Sequence, residues 1–213
     1  MMAQSNFKGL IVLDADSTLF NEEAIDLLAE SAGLKNEVSV ITERAMSGEL
    51  DFETALKKRV QLLEGLDSKV LTEVTKRLTL TLGAEVLISK ARQSHWEIGI
   101  VSGGFQEILE PIMNKLHIKY FKANRLEVSG NKLTGNVTGE IIGRSTKAQT
   151  LKEFAQYLGV DLTSTIAVGD GANDIEMLKV ANIGIAFCAK PALNEVADVI
   201  ISERDLSLVL QYL

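Results

Sequence analysis

The sequence has few of the residues on which several classes of protein depend. Its 213 residues include one cysteine, two prolines, two histidines and one tryptophan. A lone cysteine, Cys188, cannot form an intramolecular disulfide, which excludes a disulfide-stabilised fold and favours a reducing compartment. The two histidines, His95 and His117, leave little material for a zinc site built from imidazoles or for a histidine relay.

Long hydrophobic runs and excess basic charge are also missing. Apolar runs such as residues 10–13 and 98–101 fall far short of the roughly 20 residues that a membrane-spanning helix needs. The formal charge is −7, which disfavours nucleic acid as a partner because an acidic surface repels the phosphate backbone. Residues 1–7 lack the charged and apolar regions of a secretion signal, so we expect a cytoplasmic protein.

Alternating apolar runs and helical spacing predict an α/β fold. Residues 9–14 form a short apolar run ending in an acid, as expected of a strand buried on both faces of a parallel sheet. Beyond residue 83, predicted helices alternate with short predicted strands, which implies a doubly wound, mostly parallel sheet. The predicted strands are residues 98–102, 120–123, 165–169, 183–187 and 199–201, with a hairpin at residues 125–136 that turns at Gly130 and Asn131. The predicted helices lie near residues 84–94, 105–116, 145–158 and 173–181.

Residues 21–82 have helical spacing throughout and predict an all-helical insert. Asn21, Asp51 and Asp67 are predicted to cap three of its four helices, and Gly33 and Gly48 to end the first two. No Ser- or Gly-rich linker marks a tandem arrangement. We therefore expect an α/β core of residues 1–20 and 83–213, with a helical-bundle cap of residues 21–82 inserted after the first strand.

Four groups of polar residues follow predicted strands or open a predicted helix. Ligands of open α/β sheets bind at the carboxyl ends of the strands, so these groups form the candidate site. They are Asp14-Ala15-Asp16-Ser17-Thr18, Ser102-Gly103-Gly104, Lys147 and Gly169-Asp170-Gly171-Ala172-Asn173-Asp174.

The first group contains two carboxylates in extended chain. Asp14 and Asp16 lie two residues apart, so both side chains can project toward the same side. Such a pair suits a hard cation such as Mg²⁺, or a division of labour between a nucleophile and an acid–base group. Alone, it also fits a solvated turn or a helix cap. A calcium loop is disfavoured because Leu19 stands where glycine is required.

The second group combines a hydroxyl with backbone N–H groups at the start of a helix. Ser102-Gly103-Gly104 therefore suits an anion site, although an ordinary helix start has the same pattern. A serine-hydrolase elbow is disfavoured because Ile100 replaces the glycine that it needs.

Lys147 and the last group also favour a charged site. The helix dipole disfavours a cation in the first turn, so Lys147 calls for an anion nearby unless it is a solvated surface lysine. In the last group Asp174 replaces the third glycine of a dinucleotide fingerprint, which excludes that site. Asp170 and Asp174 could cap a helix. Four carboxylates converging at one sheet edge would nevertheless repel one another without a cation, which favours a metal site.

Together these groups resemble the four motifs of the haloacid dehalogenase-like phosphohydrolases, and within them the phosphoserine phosphatases. The motifs occur in the family's order, and the similarity extends into the insert and over nearly the whole chain. One departure is Ala15, where the family usually carries a larger residue such as Phe or Met. The resemblance implies a Rossmann-like core with a cap that closes over the substrate.

The resemblance also implies a covalent phosphatase mechanism. Asp14 would attack phosphorus and become an aspartyl-phosphate, while Asp16 would protonate the leaving group and then activate water. Ser102, Gly103 and Lys147 would hold the phosphoryl oxygens.

A metal site is implied at the same strand ends. Mg²⁺ would bind the carboxylates of Asp14 and Asp170 and the backbone carbonyl of Asp16. Asn173 and Asp174 would orient the lysine and the metal-bound waters, and Asn173 would also contact the substrate.

The cap would select L-phosphoserine as the small-molecule substrate. By resemblance, Glu23 would pair with the substrate ammonium and Arg59 with its carboxylate, while Met46 and Phe52 would line the lid. Taken alone, these four residues also fit amphipathic helices with surface charges.

Three other functions are compatible with parts of this pattern. The closest is a related phosphatase or phosphotransferase acting on another small amino-acid-like phosphate ester. A phospho-accepting signalling receiver is disfavoured because it has no large insert after its first acidic strand, and a catalytically dead binding module because the four charged motif residues are intact. A homodimer is compatible with the sequence, which does not determine the oligomeric state.

Overall fold

The structure, a computed structural model, describes residues 7–46 and 49–213. Within this part a seven-stranded sheet consists of β1 (Gly9–Leu13), β2 (Trp96–Phe105), β3 (Tyr120–Ser129), β4 (Lys132–Thr138), β5 (Thr165–Gly169), β6 (Ile183–Phe187) and β7 (Val199–Ile201). The strand order is β4-β3-β2-β1-β5-β6-β7, and all neighbours are parallel except β3 and β4. The predicted fold class is confirmed.

Helices cover both faces of the sheet. In the described residues they are α1 (Ala24–Ala32), α2 (Lys35–Met46), α3 (Phe52–Gln61), α4 (Lys69–Arg77), α5 (Ala84–Gln93), α6 (Gln106–Lys115), α7 (Arg144–Leu158), α8 (Ile175–Val180) and α9 (Pro191–Asn194). None of these helices is long and apolar enough to cross a membrane.

Strand β1 lies at the centre of the core, and all five of its residues are buried. Its side chains alternate between the two faces of the sheet. Leu10 and Val12 belong to an apolar cluster with α7 and α8, whereas Ile11 and Leu13 belong to one with α5. This two-sided burial explains why the strand is a continuous apolar run.

The four helices α1–α4 lie between β1 and α5 and share an apolar cluster of their own. The cluster also includes Ile108 of α6 and Leu126 and Leu133 of the β3–β4 hairpin, so the insert packs against the core at these elements. The linkers into and out of the insert pair at an antiparallel bridge between Phe20 and Leu80. The cap boundaries at residues 21 and 82 stay a prediction.

Asn21 does not cap the first helix, so that prediction was wrong. The N-cap of α1 is Glu23, and the Asn21 amide instead donates to Thr79 Oγ1 and to the carbonyl of Leu80, at 3.0 and 3.2 Å. The side chain is therefore used to join the two linkers, a contact between residues too distant in the sequence for a capping pattern to indicate.

The structure also tests the other residues predicted to begin or end helices of the insert. Asp51 caps α3, and Gly33 ends α1 in the left-handed conformation with φ 70°, so both predictions are confirmed. Ser68, the residue before α4, makes no side-chain cap, whereas the predicted Asp67 accepts on Oδ1 from the N–H of Lys69 at 2.9 Å and so caps this helix. Gly48, the predicted end of α2, lies outside the described residues.

The hairpin turns where predicted. Gly130 and Asn131 both adopt positive φ, 56° and 62°, as a two-residue hairpin turn requires. The predicted strand at residues 120–123 and the first arm of the hairpin are one continuous strand, β3.

Candidate active site

The chain makes a tight turn directly after β1, and this turn places two acids at the same strand end. The buried Asp14 accepts a hydrogen bond on Oδ1 from the N–H of Ala15 at 2.8 Å. An irregular turn, Ala15–Leu19, follows, in which Asp16 is extended and Ser17 is left-handed with φ 57°. Asp16 thereby faces the start of α1, where its Oδ1 accepts from the N–H of Ala24 at 3.0 Å.

Lys147 bridges two carboxylates in the interior. It lies in the first turn of α7, is fully buried, and its Nζ lies 2.7 Å from Asp14 Oδ1 and 2.6 Å from Asp174 Oδ1. The other oxygen of Asp174 accepts from the N–H of Gly171 at 3.1 Å. Both oxygens of Asp174 are therefore engaged, and the lysine is a structural cross-link between the ends of β1 and β5 and the helix α7.

Three acids at this edge come close enough to share a cation. Carboxylate oxygens of Asp14, Asp170 and Asp174 lie within 4.8 Å of one another. Burial raises the pKa of Asp14 well above its ordinary value, and Asp174 adds to this while Lys147 opposes it. Burial and then the charge of Asp174 raise the pKa of Asp170 to about 6.

Lys147 stays charged despite its position. Burial by itself lowers the pKa of its ammonium group, but the adjacent Asp14 and Asp174 outweigh this and raise the pKa. One lysine does not neutralise three carboxylates, and Asp14 Oδ2 has no donor among the described residues. The donor set consists of oxygens only, which fits a hard divalent cation.

Asp16 is held in a state different from that of a surface acid. Burial, followed by the charge of Glu23, raises its pKa to about 7. An acid with this pKa can carry a proton at neutral pH and also release it, which is the property required of a general acid and base.

The second motif forms a bulge in β2. Ser102 pairs with Ala123 and Phe105 with Asn124, so Gly103 and Gly104 protrude from the ladder between them. The buried Ser102 Oγ accepts from the N–H of Gly104 at 2.8 Å. Helix α6 starts only at Gln106, so this group is a strand bulge and not the first turn of a helix.

Asn173 lies between two of the loops. A β carbon built on Gly171 would stand 2.5 Å from Asn173 Oδ1, and one built on Gly103 would stand 3.8 Å from Asn173 Nδ2. The amide therefore spans from the loop after β5 toward the bulge of β2.

Two residues of the insert reach the core motifs. A β carbon built on Gly103 would stand 3.1 Å from Cζ of Phe52, so this ring lies against the bulge. Glu23 accepts on Oε1 from the hydroxyl of Ser17 at 2.7 Å, and its charge acts on Asp16 and Asp170. The side chain of Met46 lies outside the described part of the chain.

Arg59 is a partly buried cation of the insert. Its Nε donates to the carbonyl of Ala55 at 3.3 Å, and no ion pair within 4.0 Å is formed by its guanidinium among the described residues. Burial lowers its pKa, while Glu23, Asp26 and Asp16 act in the opposite direction. The side chain therefore has acids nearby without a carboxylate in direct contact.

One buried residue of this region has no role in the sequence-based prediction. Asn124 is 1% exposed, its Nδ2 donates to the carbonyl of Gly103, and its Oδ1 accepts from the N–H of Ile142, both at 2.8 Å. It lies in the middle of β3 and not at a strand end, which is why a search of strand ends does not find it. The sequence offers two signals, its polarity within a strand and its place in Ala123-Asn124-Arg125-Leu126, a stretch that takes part in the family resemblance.

Comparisons with known proteins agree with this geometry. Residues 11–179 match the family model described as haloacid dehalogenase-like hydrolase. The chain is 48% identical to a phosphoserine phosphatase of Lactococcus lactis subsp. lactis, covering 96% of this chain and 95% of that protein. It is 47% identical to a phosphoserine phosphatase of Methanocaldococcus jannaschii, covering 97% and 98%.

Solved structures give the same result for the fold. A structure described as a phospho-aspartyl intermediate analogue of phosphoserine phosphatase matches with a TM-score of 0.92 at 46% identity, covering 97% of this chain and 99% of that one. A substrate-bound phosphoserine phosphatase complex matches with the same TM-score and identity, covering 97% and 98%.

Proposed function

Since the chain belongs to the phosphoserine phosphatases of the haloacid dehalogenase-like hydrolase family, we propose that it hydrolyses L-phosphoserine to L-serine and inorganic phosphate. The observation that carries this proposal is the pairing of Lys147 with Asp14 at the end of β1, directly beside Asp16. This arrangement gives a nucleophile, its counter-charge and a proton donor within one buried site.

In the first half of the reaction Asp14 attacks phosphorus. Lys147 and the N–H of Ala15 both contact Oδ1 and leave Oδ2 without a protein donor. A bond forms between the Asp14 carboxylate and phosphorus as the bond from phosphorus to the serine oxygen breaks. Asp16, whose pKa of about 7 keeps a proton available, gives that proton to the departing serine oxygen.

In the second half the aspartyl-phosphate is hydrolysed. Asp16, now a carboxylate, takes a proton from water as the water oxygen attacks phosphorus. The bond between phosphorus and Asp14 breaks, phosphate leaves, and both acids return to their starting states. Division into two displacements lets one buried site use the same acid first as a donor and then as a base.

The charge on the phosphoryl group is balanced by fixed groups of this chain. The hydroxyl of Ser102, the N–H of Gly103 and the ammonium of Lys147 are proposed to contact its oxygens. Their positions are set by the bulge of β2 and by burial of the lysine, so little reorganisation is needed when charge shifts in the transition state.

The acid cluster fits a resident Mg²⁺ ion. Asp14, Asp170 and the backbone carbonyl of Asp16 are the proposed ligands, and when bound the ion supplies positive charge that lets one anion approach another. Asp174 has one oxygen on Lys147 and the other on Gly171, which suits a role in orienting its neighbours, shared with Asn173.

The insert is proposed to provide specificity as a closing cap. Arg59, which has no carboxylate in direct contact among the described residues, would bind the substrate carboxylate, and Glu23 would bind its ammonium group. Phe52 packs on Gly103 and would exclude water together with Met46.

The proposal also includes a metabolic role and a location in the cell. Hydrolysis of phosphoserine yields serine, so the reaction belongs to serine biosynthesis. A cytoplasmic location is proposed from the single free cysteine, Cys188, which suits a reducing compartment.

The test is phosphate release by the purified protein with Mg²⁺ across four substrates: L-phosphoserine, D-phosphoserine, phosphothreonine and a sugar phosphate. We expect the highest kcat/KM with L-phosphoserine and no release by Asp14→Asn above the blank. A higher kcat/KM with another amino-acid-like ester would favour the related phosphatase or phosphotransferase, and release by Asp14→Asn at the native rate would show a contaminating enzyme.

A further inference from the structure

We propose that Asn124 is a positioning residue, which holds the Ser102–Gly104 bulge at a fixed distance from the chain leading to Lys147. The inference rests on the proposed function, because it assigns Asn124 to the placement of the groups that contact the phosphoryl oxygens. Asn124 itself contacts no reacting atom in this proposal.

The first step is the backbone of the bulge. Between the pairs Ser102 with Ala123 and Phe105 with Asn124, Gly103 and Gly104 leave the ladder. A bulged residue loses its strand partner, and a buried carbonyl without a partner is costly. The Asn124 side chain takes the place of that partner, because its Nδ2 donates to the carbonyl of Gly103 at 2.8 Å.

The second step concerns the oxygen of the Asn124 side-chain amide. Asn124 Oδ1 accepts from the N–H of Ile142 at 2.8 Å. Ile142 is followed by Gly143, the N-cap of α7, whose carbonyl accepts from the N–H of Lys147 at 2.9 Å. Asn124 is therefore connected to the active-site lysine by two hydrogen bonds, with Ile142 and Gly143 between them.

The third step is the rigidity of the link. The carboxamide is planar, so its donor and acceptor keep a fixed separation, and a side chain that is 1% exposed is shielded from bulk water. The bulge and the start of α7 consequently cannot move apart without breaking one of two hydrogen bonds, of which that to Ile142 is buried and that to Gly103 is partly buried. Misplacement of contacting groups by about 1 Å can cost on the order of a hundredfold in rate.

A purely structural role is the alternative, and a second buried side chain provides the matched control. Thr165 is 1% exposed, and its hydroxyl donates to the carbonyl of Leu162 at 2.7 Å and accepts from the N–H of Asn182 at 3.2 Å. It is the same kind of two-way link, but it lies at the amino end of β5, and the site lies at the carboxyl ends of the strands.

The experiment compares Asn124→Leu, Asn124→Ala and Thr165→Val. Leucine removes both hydrogen bonds at similar volume, and alanine leaves space in which water can satisfy the two backbone groups, so it favours folding while still breaking the direct link. Thermal unfolding is followed by circular dichroism. The kcat and KM are measured with L-phosphoserine and with p-nitrophenyl phosphate, well below the melting temperatures of all variants, together with inhibition by inorganic phosphate.

We expect both Asn124 variants to lose about tenfold to a hundredfold in kcat on both substrates, and to be inhibited less by phosphate. The loss should be shared by the two substrates because the bulge contacts the phosphoryl group, which both contain. Thr165→Val should melt earlier and keep its kcat.

Two results would overturn the proposal. One is a folded Asn124 variant whose kcat on both substrates stays at the native level; the other is a loss of kcat in Thr165→Val as large as that in the Asn124 variants at equal destabilisation. Failure of the proposed function is a different outcome, since the unmodified protein would then release no phosphate from L-phosphoserine.

Discussion

Oδ2 of Asp16 occupies the space that a side chain on Gly104 would need, 2.6 Å from where its β carbon would stand. The glycine therefore lets the bulge of β2 approach the turn after β1. Real β carbons do not come so close to an oxygen, so the contact couples the identity of residue 104 to the position of the Asp16 carboxylate.

Gly104→Ala should displace Asp16 and lower kcat while the protein remains folded. The obstructing atom is the end of a side chain that can rotate away, so the cost in stability is small, but a general acid must stay within hydrogen-bond reach of its target. We expect a loss of about tenfold or more. The measurement is kcat with L-phosphoserine beside the thermal midpoint.

Gly99→Ala is the matched control for that change. It lies on the same strand, and its added β carbon would meet Phe154 Cδ2 at 2.9 Å, which is also too close and involves a side chain away from the proposed site. We expect it to cost stability without a specific loss of kcat. Equal kcat losses in the two variants would mean that the contact between Gly104 and Asp16 has no bearing on catalysis.

Asp14→Asn should remove turnover and leave the fold intact. The amide keeps the shape of the side chain but is no longer a charged nucleophile. Removing one member of a group of catalytic residues that act together typically lowers kcat by about three or more powers of ten. Lys147 keeps its contact with Asp174 in this variant, so the buried ammonium is not left unpaired. A folded Asp14→Asn protein with near-native turnover would exclude the aspartyl-phosphate mechanism.

Much of the fold was predictable because its signals are local. The apolar run of β1, the left-handed Gly33 and the Gly130-Asn131 turn each depend on a few neighbouring residues, and each was predicted from them. The failed prediction at Asn21 has the opposite cause. Its partners, Thr79 and Leu80, come from the other linker, and no local pattern indicates a pairing over that separation.

Only part of the candidate site could be predicted from the sequence. Acids at strand ends could be found because the topology of a parallel sheet brings such ends together, and Gly104 was included with Ser102 and Gly103. The contact of Gly104 with Asp16 and the role of Asn124 could not be predicted, because both depend on the two-residue bulge in β2 and on what lies beside it. A bulge changes which residues of two strands pair with each other, and this pairing cannot be predicted from the sequence of either strand alone.

Divalent cations should stabilise the protein more at high pH than at low pH. In the folded metal-free chain burial raises the pKa of Asp170 to about 6 and that of Asp16 to about 7. Between about pH 4 and pH 7 the folded state therefore binds more protons than the unfolded state, so these groups lower the free energy of unfolding as pH rises. A cation that binds the carboxylates competes with those protons and relieves their repulsion.

The check is the melting temperature of chelator-treated protein with and without Mg²⁺ at about pH 5 and pH 8, since a ligand specific for the folded state raises it. We expect a larger increase at the higher pH, and turnover that stops on chelation and returns with Mg²⁺. The matched variant is Asp161→Asn, which removes an exposed cap acid remote from the cluster and should leave the Mg²⁺ effect unchanged. A Mg²⁺ effect equal at both pH values would argue against binding at the acid cluster, and full activity after exhaustive chelation would contradict the need for a metal.

Arg59→Ala should weaken hydrolysis of amino-acid phosphates selectively. The guanidinium is partly buried without a carboxylate in direct contact among the described residues, and burial lowers its pKa, as expected of a cation that lacks a close counter-ion. A substrate carboxylate would supply that partner. Losing a hydrogen bond between charged groups typically costs about 1.5–3 kcal/mol, or roughly one to two powers of ten in kcat/KM.

The selectivity is what identifies the role of Arg59, so the variants are compared on L-phosphoserine and on p-nitrophenyl phosphate, which has neither carboxylate nor ammonium. Arg59→Ala should lose kcat/KM on the first substrate and keep it on the second, since the second uses only the phosphate-binding and catalytic groups of the core. Arg59→Lys should recover part of the loss, because it restores the charge without the planar fork. Lys58→Ala, on the exposed face of the same helix, controls for the general effect of removing a cation. Equal losses on both substrates would mean that Arg59 supports the structure or closure of the cap, and the selection of amino-acid substrates would then have to depend on Glu23 or other residues of the insert.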